Sequence, residues 1–124
     1  MPVNAIGQHV QVQTTASSQD EADRLATVLV DARLAACVQV IGPIRSRYWW
    51  EGQVETATEW LCVAKTTEDL VGQGTAAIVT AHSYDTPEVL VVPVAGGNDR
   101  YLRWVDDTVH TRSAEHDDEG ILDP

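Results

Sequence analysis

The sequence predicts an α+β domain built on one antiparallel sheet of four strands. Two patterns lead to this prediction: stretches in which apolar residues recur with the period of a helix, and short runs of β-branched residues between them. In chain order they read β-α-β-β-α-β, followed by one more short helix. This is the ferredoxin-like order, with the helices on one face of the sheet. The length of 124 residues corresponds to a single domain.

The first strand and the first helix have the clearest signals. In residues 9–15, Val10 and Val12 alternate with glutamines, as in a strand with one apolar face. Ser18, followed three residues later by Glu21, forms a capping box and predicts a helix N-terminus. The helix continues through an apolar stripe of helical period, which consists of Ala22, Leu25, Ala26, Leu29, Ala32 and Ala36.

A β-hairpin is predicted next, with strands over residues 37–48 and 53–66. The segment "WEGQ" between them is typical of a hairpin turn, which we place at Glu51 and Gly52. Within the first of these strands, Gly42 and Pro43 predict a bend or a bulge.

The two cysteines, Cys37 and Cys62, are predicted to be buried free thiols. Neither belongs to a CxxC pair, and both lie in apolar stretches, which favours a reducing compartment. With the hairpin turn at residues 51–52, Cys37 lies opposite residue 66 and Cys62 opposite residue 41. An offset of four residues in register is about 13 Å, which is too far for a disulfide.

A second, weaker helix is predicted over residues 67–81. Thr67 can cap its N-terminus, and two acidic residues follow, where they suit the helix dipole. Gly72 and Gly74 weaken the prediction, because each costs about 1 kcal/mol relative to alanine inside a helix.

The last strand and the last helix follow Pro87. The segment "EVLVVPV" (88–94) predicts a fully buried strand because its apolar run is continuous, with Pro93 at an irregular or edge position. Asn98 then caps a short helix that turns Leu102 and Val105 inward.

The chain is strongly acidic, with 19 Asp and Glu against 8 Lys and Arg and a net charge of −11. This excludes nucleic acid as a partner, because phosphate backbones are bound by clusters of Lys and Arg. Five acids fall within residues 115–124. We therefore divide the chain into an N-terminal extension (1–8), a folded domain (9–111) and a flexible acidic tail (112–124).

No membrane segment is predicted. No apolar run approaches the roughly 20 residues that span a bilayer. The first residues, "MPVNAIGQHV", have neither the basic nor the apolar region of a secretory signal. We expect a cytoplasmic protein with no membrane partner.

Polar side chains concentrate in "AHSYDTPEVLVVPV" (81–94). His82, with Asp85 and Glu88 close behind it, offers one imidazole and two carboxylates as metal ligands. The alternative is structural: His82 ends the second helix, where an imidazolium complements the helix dipole.

Glu88, at the start of the predicted buried strand, also has two interpretations. It forms a structural ion pair with Lys65, Arg45 or Arg47, or its pKa is raised and it acts as an acid–base group. No nucleophile or oxyanion arrangement accompanies it, so we expect the ion pair and no enzymatic activity.

Two adjacent tryptophans stand out in a chain with four Trp and no Phe. Trp49 and Trp50 must point to opposite faces of a strand. We expect one to pack inward and the other against a neighbouring chain, since aromatic residues are enriched in interface cores. The alternative is an aromatic cleft for a small ligand, formed by Trp50 with Tyr48, Tyr84 and Glu51.

Four motifs in one order resemble the CutA family of divalent-cation tolerance proteins. They are "ARLAACVQVIGPIRSRYWWEG", "CVAKT", "HSYDTPEVLVVPV" and "GNDRYLRWV", within a match from about residue 9 to residue 109. The resemblance implies a homotrimer of ferredoxin-like subunits, similar to PII signalling proteins. It also implies an association with copper and other divalent ions, and no established enzymatic reaction.

The chain departs from the family at the copper ligands that the resemblance implies, which include a cysteine near the end of the first strand and two adjacent histidines. The corresponding residues here are Thr14, Ala81 and His82, so only one imidazole is retained. Cu(I) prefers thiolate and thioether ligands, and Cu(II) prefers imidazole.

Two functions follow from the resemblance. The first is divalent-cation binding linked to metal tolerance, with His82 and nearby carboxylates as weak ligands for Cu(II) or another divalent ion, and with no required cofactor. The second is a PII-like sensor or scaffold, whose inter-subunit cleft near Tyr48, Trp50, Tyr84 and Glu88 binds a small anion or a partner protein.

Overall fold

The computed structural model of the chain describes residues 8–110. The predicted acidic tail, and all but the last residue of the predicted N-terminal extension, lie outside this range. In chain order the elements are β1 (His9–Ala16), α1 (Gln19–Asp31), β2 (Cys37–Trp50), β3 (Gln53–Thr67), α2 (Val71–Ala81), β4 (Leu90–Pro93) and α3 (Asp99–His110). The predicted α+β class with one four-stranded antiparallel sheet is confirmed.

The strands are ordered β2-β3-β1-β4, and each neighbouring pair is antiparallel. Because side chains alternate along a strand, β1 directs Val10 and Val12 to one face and its glutamines to the other. α1 and α2 cover the first face, which holds the core. One core cluster contains Val10, Val12, Leu29, Ala35, Ala64 and Ile78, and a second contains Ala16, Ala22, Leu25 and Cys62.

The capping of α1 is confirmed, since Ser18 Oγ accepts the Glu21 N–H at 3.1 Å. The buried residues of the predicted stripe are Ala22, Leu25 and Leu29. The face of α1 that the sequence assigns to the core is therefore the face that packs on the sheet. None of the described helices is both long and apolar enough to cross a membrane.

α3 lies on the face of the sheet opposite α1 and α2, which differs from the expectation of helices on one face only. His9 alternates with Val10 and so points away from the core, and its Nε2 donates to Asp106 of α3 at 3.1 Å. Arg33 Nη1 donates to the Thr108 carbonyl at 2.9 Å. These two hydrogen bonds hold α3 against β1 and against the segment that follows α1.

The starts of α2 and α3 differ in how well the sequence predicts them. Asn98 caps α3 as predicted, and Leu102 and Val105 are buried. The predicted cap at Thr67 is wrong, because its side chain makes no capping bond and a 3-10 turn (Glu68–Leu70) precedes α2. The chain turns into α2 through this tighter turn, so the α-helix begins four residues after Thr67.

The β2–β3 hairpin turns at Glu51 and Gly52 as predicted, with φ angles of 50° and 81°. Two left-handed residues in a two-residue turn match the twist of the flanking strands. The register shifts between Ile41 and Ile44, which confirms the bulge predicted at Gly42. Two residues of β2 therefore oppose one residue of β3 at this point.

The predicted pairing of the cysteines is wrong by one residue, because it did not count the extra residue of the bulge. Cys37 lies opposite Lys65, and Cys62 lies opposite Val40. Both thiols are free; Cys62 is buried, whereas Cys37 is only half-buried.

β4 is not the fully buried strand that its continuous apolar run predicts. Leu90, Val91 and Val92 are all exposed in the single chain. The reason is that β4 pairs only with β1, so it is an edge strand with one unpaired side. The edge position predicted for Pro93 is confirmed.

We expect Gly42→Ala to lower the free energy of unfolding by about 1–3 kcal/mol, as overpacking usually does. A Cβ atom at this position would overlap the Trp60 indole, whose Cγ lies only 2.7 Å away. Urea denaturation measures the change. Gly72→Ala is the matched control, because the space around its Cβ is open and alanine favours α2. Equal stability of the two variants would contradict the packing of Trp60 against the bulge.

Candidate functional site

A cleft of about 700 Å³ opens beside the outer half of the β2–β3 hairpin. One wall is the hairpin, and the other is the loop that joins α2 to β4 (residues 82–89). We refer to it as the hairpin cleft. The residues that line it are Thr15, Ser46, Arg47, Tyr48, Trp50, Glu59, Tyr84, Asp85, Thr86 and Glu88.

The bulge decides which side chains of β2 face the hairpin cleft. Beyond the bulge Glu59 pairs with Ile44, and residues paired across antiparallel strands point to the same face. Alternate residues after Ile44, including Tyr48 and Trp50, therefore share the face of Glu59. Trp49 points to the opposite face and does not line the cleft.

Neither tryptophan of the adjacent pair packs inside the chain. Trp49 is 74% exposed and Trp50 is 49% exposed. The expectation that one of them packs inward is wrong for the single chain. The reason is that the outer half of the hairpin, residues 45–58, has mostly exposed side chains on both of its faces.

Glu59 is the buried charged residue of the cleft, with only 7% of its surface exposed. The Tyr84 hydroxyl donates to its Oε2 at 2.8 Å. Within residues 8–110, no Lys, Arg or His lies within 4.0 Å of this carboxylate, and no donor reaches its Oε1. Burying a carboxylate without a cationic partner is unfavourable, which makes Glu59 a candidate ligand for a cation.

The cleft as a whole has an excess of negative charge. Burial and the neighbouring charge of Glu59 raise the pKa of Glu88. Burial and the hydrogen bond to Glu59 raise the pKa of Tyr84, which therefore remains a phenol donor. Asp85 adds a third carboxylate, and Arg47 is the single cationic residue among those that line the cleft. The Arg47 guanidinium donates to a threonine across the hairpin at 3.2 Å.

The ion pairs predicted for Glu88 do not form among the described residues. Lys65 lies opposite Cys37, near the other end of β3, and its Nζ donates to Gln39 Oε1 at 2.7 Å.

Of the site residues that the sequence predicts, the cleft brings together Tyr48, Trp50, Tyr84 and Glu88, and leaves out Trp49, Glu51, Lys65 and His82.

Glu59 is the functional residue that sequence reasoning missed. Its signal was a carboxylate at the start of "EWLCVA", a stretch that otherwise reads as a buried strand. Such a position requires either a polar partner or a functional use.

His82 has no free ring nitrogen for a metal ion. Its side chain is 0% exposed at the end of α2. Because a carbonyl oxygen only accepts, Nε2 donates to Thr15 O at 2.7 Å, which leaves Nδ1 to accept the Tyr84 N–H at 3.1 Å. This geometry contradicts the metal-ligand interpretation. His82 is structural, but through hydrogen bonds that fix the loop after α2 rather than through an imidazolium at the helix end, because Nδ1 accepts a hydrogen bond.

The other positions of the family's proposed copper set also lack metal ligands. Thr14 is buried, and Ala81 has no ligand atom. Burial and nearby acidic side chains raise the pKa of Cys62, opposite Thr14, to about 11, so it remains a thiol rather than the metal-binding thiolate. Residues 8–110 contain no group of three or more His, Cys, Asp or Glu arranged to hold a metal ion.

Glu21 holds the loop wall of the cleft in place. Its side chain is 5% exposed, and its Oε1 accepts from Ser17 N at 3.2 Å and Ser17 Oγ at 3.1 Å. Its Oε2 accepts from Ser83 N at 2.8 Å and lies 3.8 Å from the Arg24 guanidinium. The carboxylate thus caps α1 through Ser17 rather than through Ser18. Burial alone would raise the pKa of Glu21, but these hydrogen bonds outweigh it and lower the pKa to about 2.

We expect the charge of Glu21 to contribute stability that depends on pH. Its pKa falls from an ordinary 4.5 to about 2 on folding, so the contribution is complete above pH 4.5 and is lost as the pH falls towards 2. Glu21→Gln should lower the free energy of unfolding at pH 7 by about 1–3 kcal/mol. Urea denaturation at pH 7 and pH 3 measures both effects.

The difference between wild type and Glu21→Gln should shrink at the lower pH. Asp20→Asn, in the same helical turn, is the control and should cost less than about 1 kcal/mol. A Glu21→Gln protein with the stability and pH dependence of wild type would contradict the role of this carboxylate.

Residues 10–108 match the family described as CutA1 divalent ion tolerance protein. The divalent-cation tolerance protein CutA of Archaeoglobus fulgidus is 39% identical over 101 residues, which cover 82% of this chain and 98% of that protein. The chloroplastic protein CutA 1 of Oryza sativa subsp. japonica is 41% identical over 96 residues. These cover 77% of this chain and 54% of the rice protein, so the chain spans about half the length of that relative.

Solved structures agree with the sequence match. The periplasmic divalent cation tolerance protein CutA from Archaeoglobus fulgidus has a TM-score of 0.79 at 39% identity, over 82% of this chain and 98% of that one. CutA1 from Oryza sativa has a TM-score of 0.81 at 36% identity, over 86% of this chain and 98% of that one. These names state tolerance to divalent cations and no enzymatic reaction. The chain belongs to the CutA family of divalent-cation tolerance proteins.

Proposed function

We propose that this chain forms a homotrimer of ferredoxin-like subunits that binds cations in its hairpin clefts, and that this binding is its part in divalent-cation tolerance. The observation that carries the cation site is Glu59, a buried carboxylate without a cationic partner among the described residues. Family membership supports the link to divalent cations. Copper enters the proposal only through the resemblance that the sequence motifs carry. The cleft carboxylates take the place of His82 as ligands.

Charge supports a cation over the small anion of the PII-like alternative. Glu59, Asp85 and Glu88 line the cleft. Arg47 is the single cationic residue among the lining residues, and its guanidinium bonds to Thr56 on the other face of the hairpin. Burial and, after it, the charge of Glu59 raise the pKa of Glu88, and a bound cation would relieve the repulsion between the two carboxylates. Carboxylate oxygens are also the ligands through which proteins bind most hard divalent ions.

The exposed β4 supports the homotrimer. Leu90, Val91 and Val92 present an apolar strand at an unpaired sheet edge. Such an edge pairs readily with another chain, and the exposed Trp49 adds further apolar surface. Assembly of identical chains would bury the run that the sequence marks as a core strand.

We expect native mass spectrometry and sedimentation velocity to show a trimer, and Leu90→Arg to shift it towards monomers by placing a charge in the interface. Val79→Arg is the matched control on α2, because Val79 is 49% exposed and Leu90 is 55% exposed. A wild-type protein that is monomeric at micromolar concentration would rule out the trimer.

We expect Cu(II) to bind the trimer and Glu59→Gln to weaken its affinity at least about tenfold, because the variant loses one charged ligand. Glutamine keeps an oxygen that can accept the Tyr84 hydroxyl. Isothermal titration calorimetry measures the affinity. Glu55→Gln, an exposed glutamate of β3 outside the cleft, is the control and should bind copper as wild type does.

The comparison with His82→Gln decides between the two candidate ligands. If copper affinity falls in His82→Gln and is unchanged in Glu59→Gln, the metal site lies at the histidine and the cleft is not the cation site.

A further inference from the structure

The walls of the hairpin cleft are aromatic as well as acidic. Tyr48 and Trp50 line it from β2, and Tyr84 lines it from the loop after α2. In the single chain Tyr48 and Trp50 are 42% and 49% exposed. The face of an aromatic ring carries negative potential and attracts cations, most strongly when the site is shielded from water.

The carboxylate of Glu59 completes this arrangement. It is more than nine-tenths buried, and its Oε1 receives no hydrogen bond within residues 8–110. The Tyr84 hydroxyl holds the other oxygen at 2.8 Å, which fixes the carboxylate and the Tyr84 ring relative to each other. An ammonium group that enters the cleft can therefore pair with a fixed charge and contact an aromatic ring at the same time.

The size of the cleft and the spacing of its ligands suit an organic cation better than a tightly held bare metal ion. A metal ion requires several oxygen ligands that converge within about 2.0–2.6 Å of one point. The described residues offer no group of three such ligands, and the cleft measures about 700 Å³. An alkylammonium ion fills more of this space and requires no convergent set of ligands.

We propose that the hairpin cleft binds organic ammonium cations. Glu59 and Glu88 balance the charge, and Tyr48, Trp50 and Tyr84 enclose the alkyl groups. The inference rests on the proposed cation-binding function of the same cleft and names the chemical class of cation that the cleft prefers. A metal ion would use the carboxylates alone, whereas an ammonium ion uses the carboxylates and the rings.

Isothermal titration calorimetry of the full chain with tetramethylammonium chloride tests the inference. We expect saturable binding, and none with sodium chloride at the same ionic strength. We also expect none with tert-butanol, an uncharged molecule of similar size. Binding of tert-butanol with equal affinity would show an apolar pocket and overturn the inference.

The adjacent tryptophans provide matched variants, because Trp50 lines the cleft and Trp49 does not. Trp50→Leu should weaken tetramethylammonium binding at least about threefold, and by a larger factor than it weakens copper binding. Trp49→Leu should change neither affinity. Sedimentation velocity of both variants confirms that they are compared in the same oligomeric state. Equal weakening by both substitutions would overturn the inference.

Glu59→Gln separates the ammonium inference from the proposed function. It should weaken tetramethylammonium binding at least about tenfold, together with copper binding. Copper binding that depends on Glu59, without any tetramethylammonium binding, would overturn the ammonium inference and leave the proposed function intact. If neither copper nor tetramethylammonium binds, both the proposed function and the ammonium inference are wrong.

Discussion

The carboxylate of Glu21 joins two parts of the chain that lie 62 residues apart, the start of α1 and the loop after α2. A buried carboxylate is stable only when hydrogen bonds replace its water, and donors from Ser17 and Ser83 do so here. The position of the loop that forms one wall of the cleft depends on the hydrogen bond between Glu21 and Ser83. The residue after Ser83 donates its N–H to His82 and its hydroxyl to Glu59. The loop wall of the cleft therefore depends on an interaction outside it.

Glu21 and Glu59 show how two buried carboxylates acquire different roles. Glu21 accepts two backbone N–H groups and a hydroxyl, and its pKa falls to about 2. Glu59 accepts one phenol, and its charge is left without a cation among the described residues. The first is satisfied by the fold itself. The second lacks a cationic partner among the described residues, which makes it the candidate ligand of the cleft.

His82 shows how the local chemistry of this chain differs from the copper set proposed for the CutA family. His82 occupies a position of the family's proposed copper set, but its ring nitrogens bond to the backbone at Thr15 and Tyr84. Its role is to fix the loop that forms one wall of the cleft. The edge strand β4 is also uncovered, because Leu90, Val91 and Val92 are exposed and one side of the strand is unpaired. The single chain thus presents both an acidic cleft and an apolar strand edge of the kind that readily pairs with another chain.

The sequence by itself determined the α+β class, the cap of α1 at Ser18, the hairpin turn at Glu51 and the resemblance to the CutA family. These features arise from neighbours a few residues apart, through helical and strand periods, capping and turn conformation. Only the tertiary structure decided that Trp50 rather than Trp49 lines the cleft, and that Glu59 meets Tyr84 across 25 residues. The bulge adds one residue to β2, and one residue reverses the face of every side chain beyond it. The local pattern at Gly42 indicated a bend or a bulge but not whether it adds a residue to the strand, and contacts between distant segments depend on that residue.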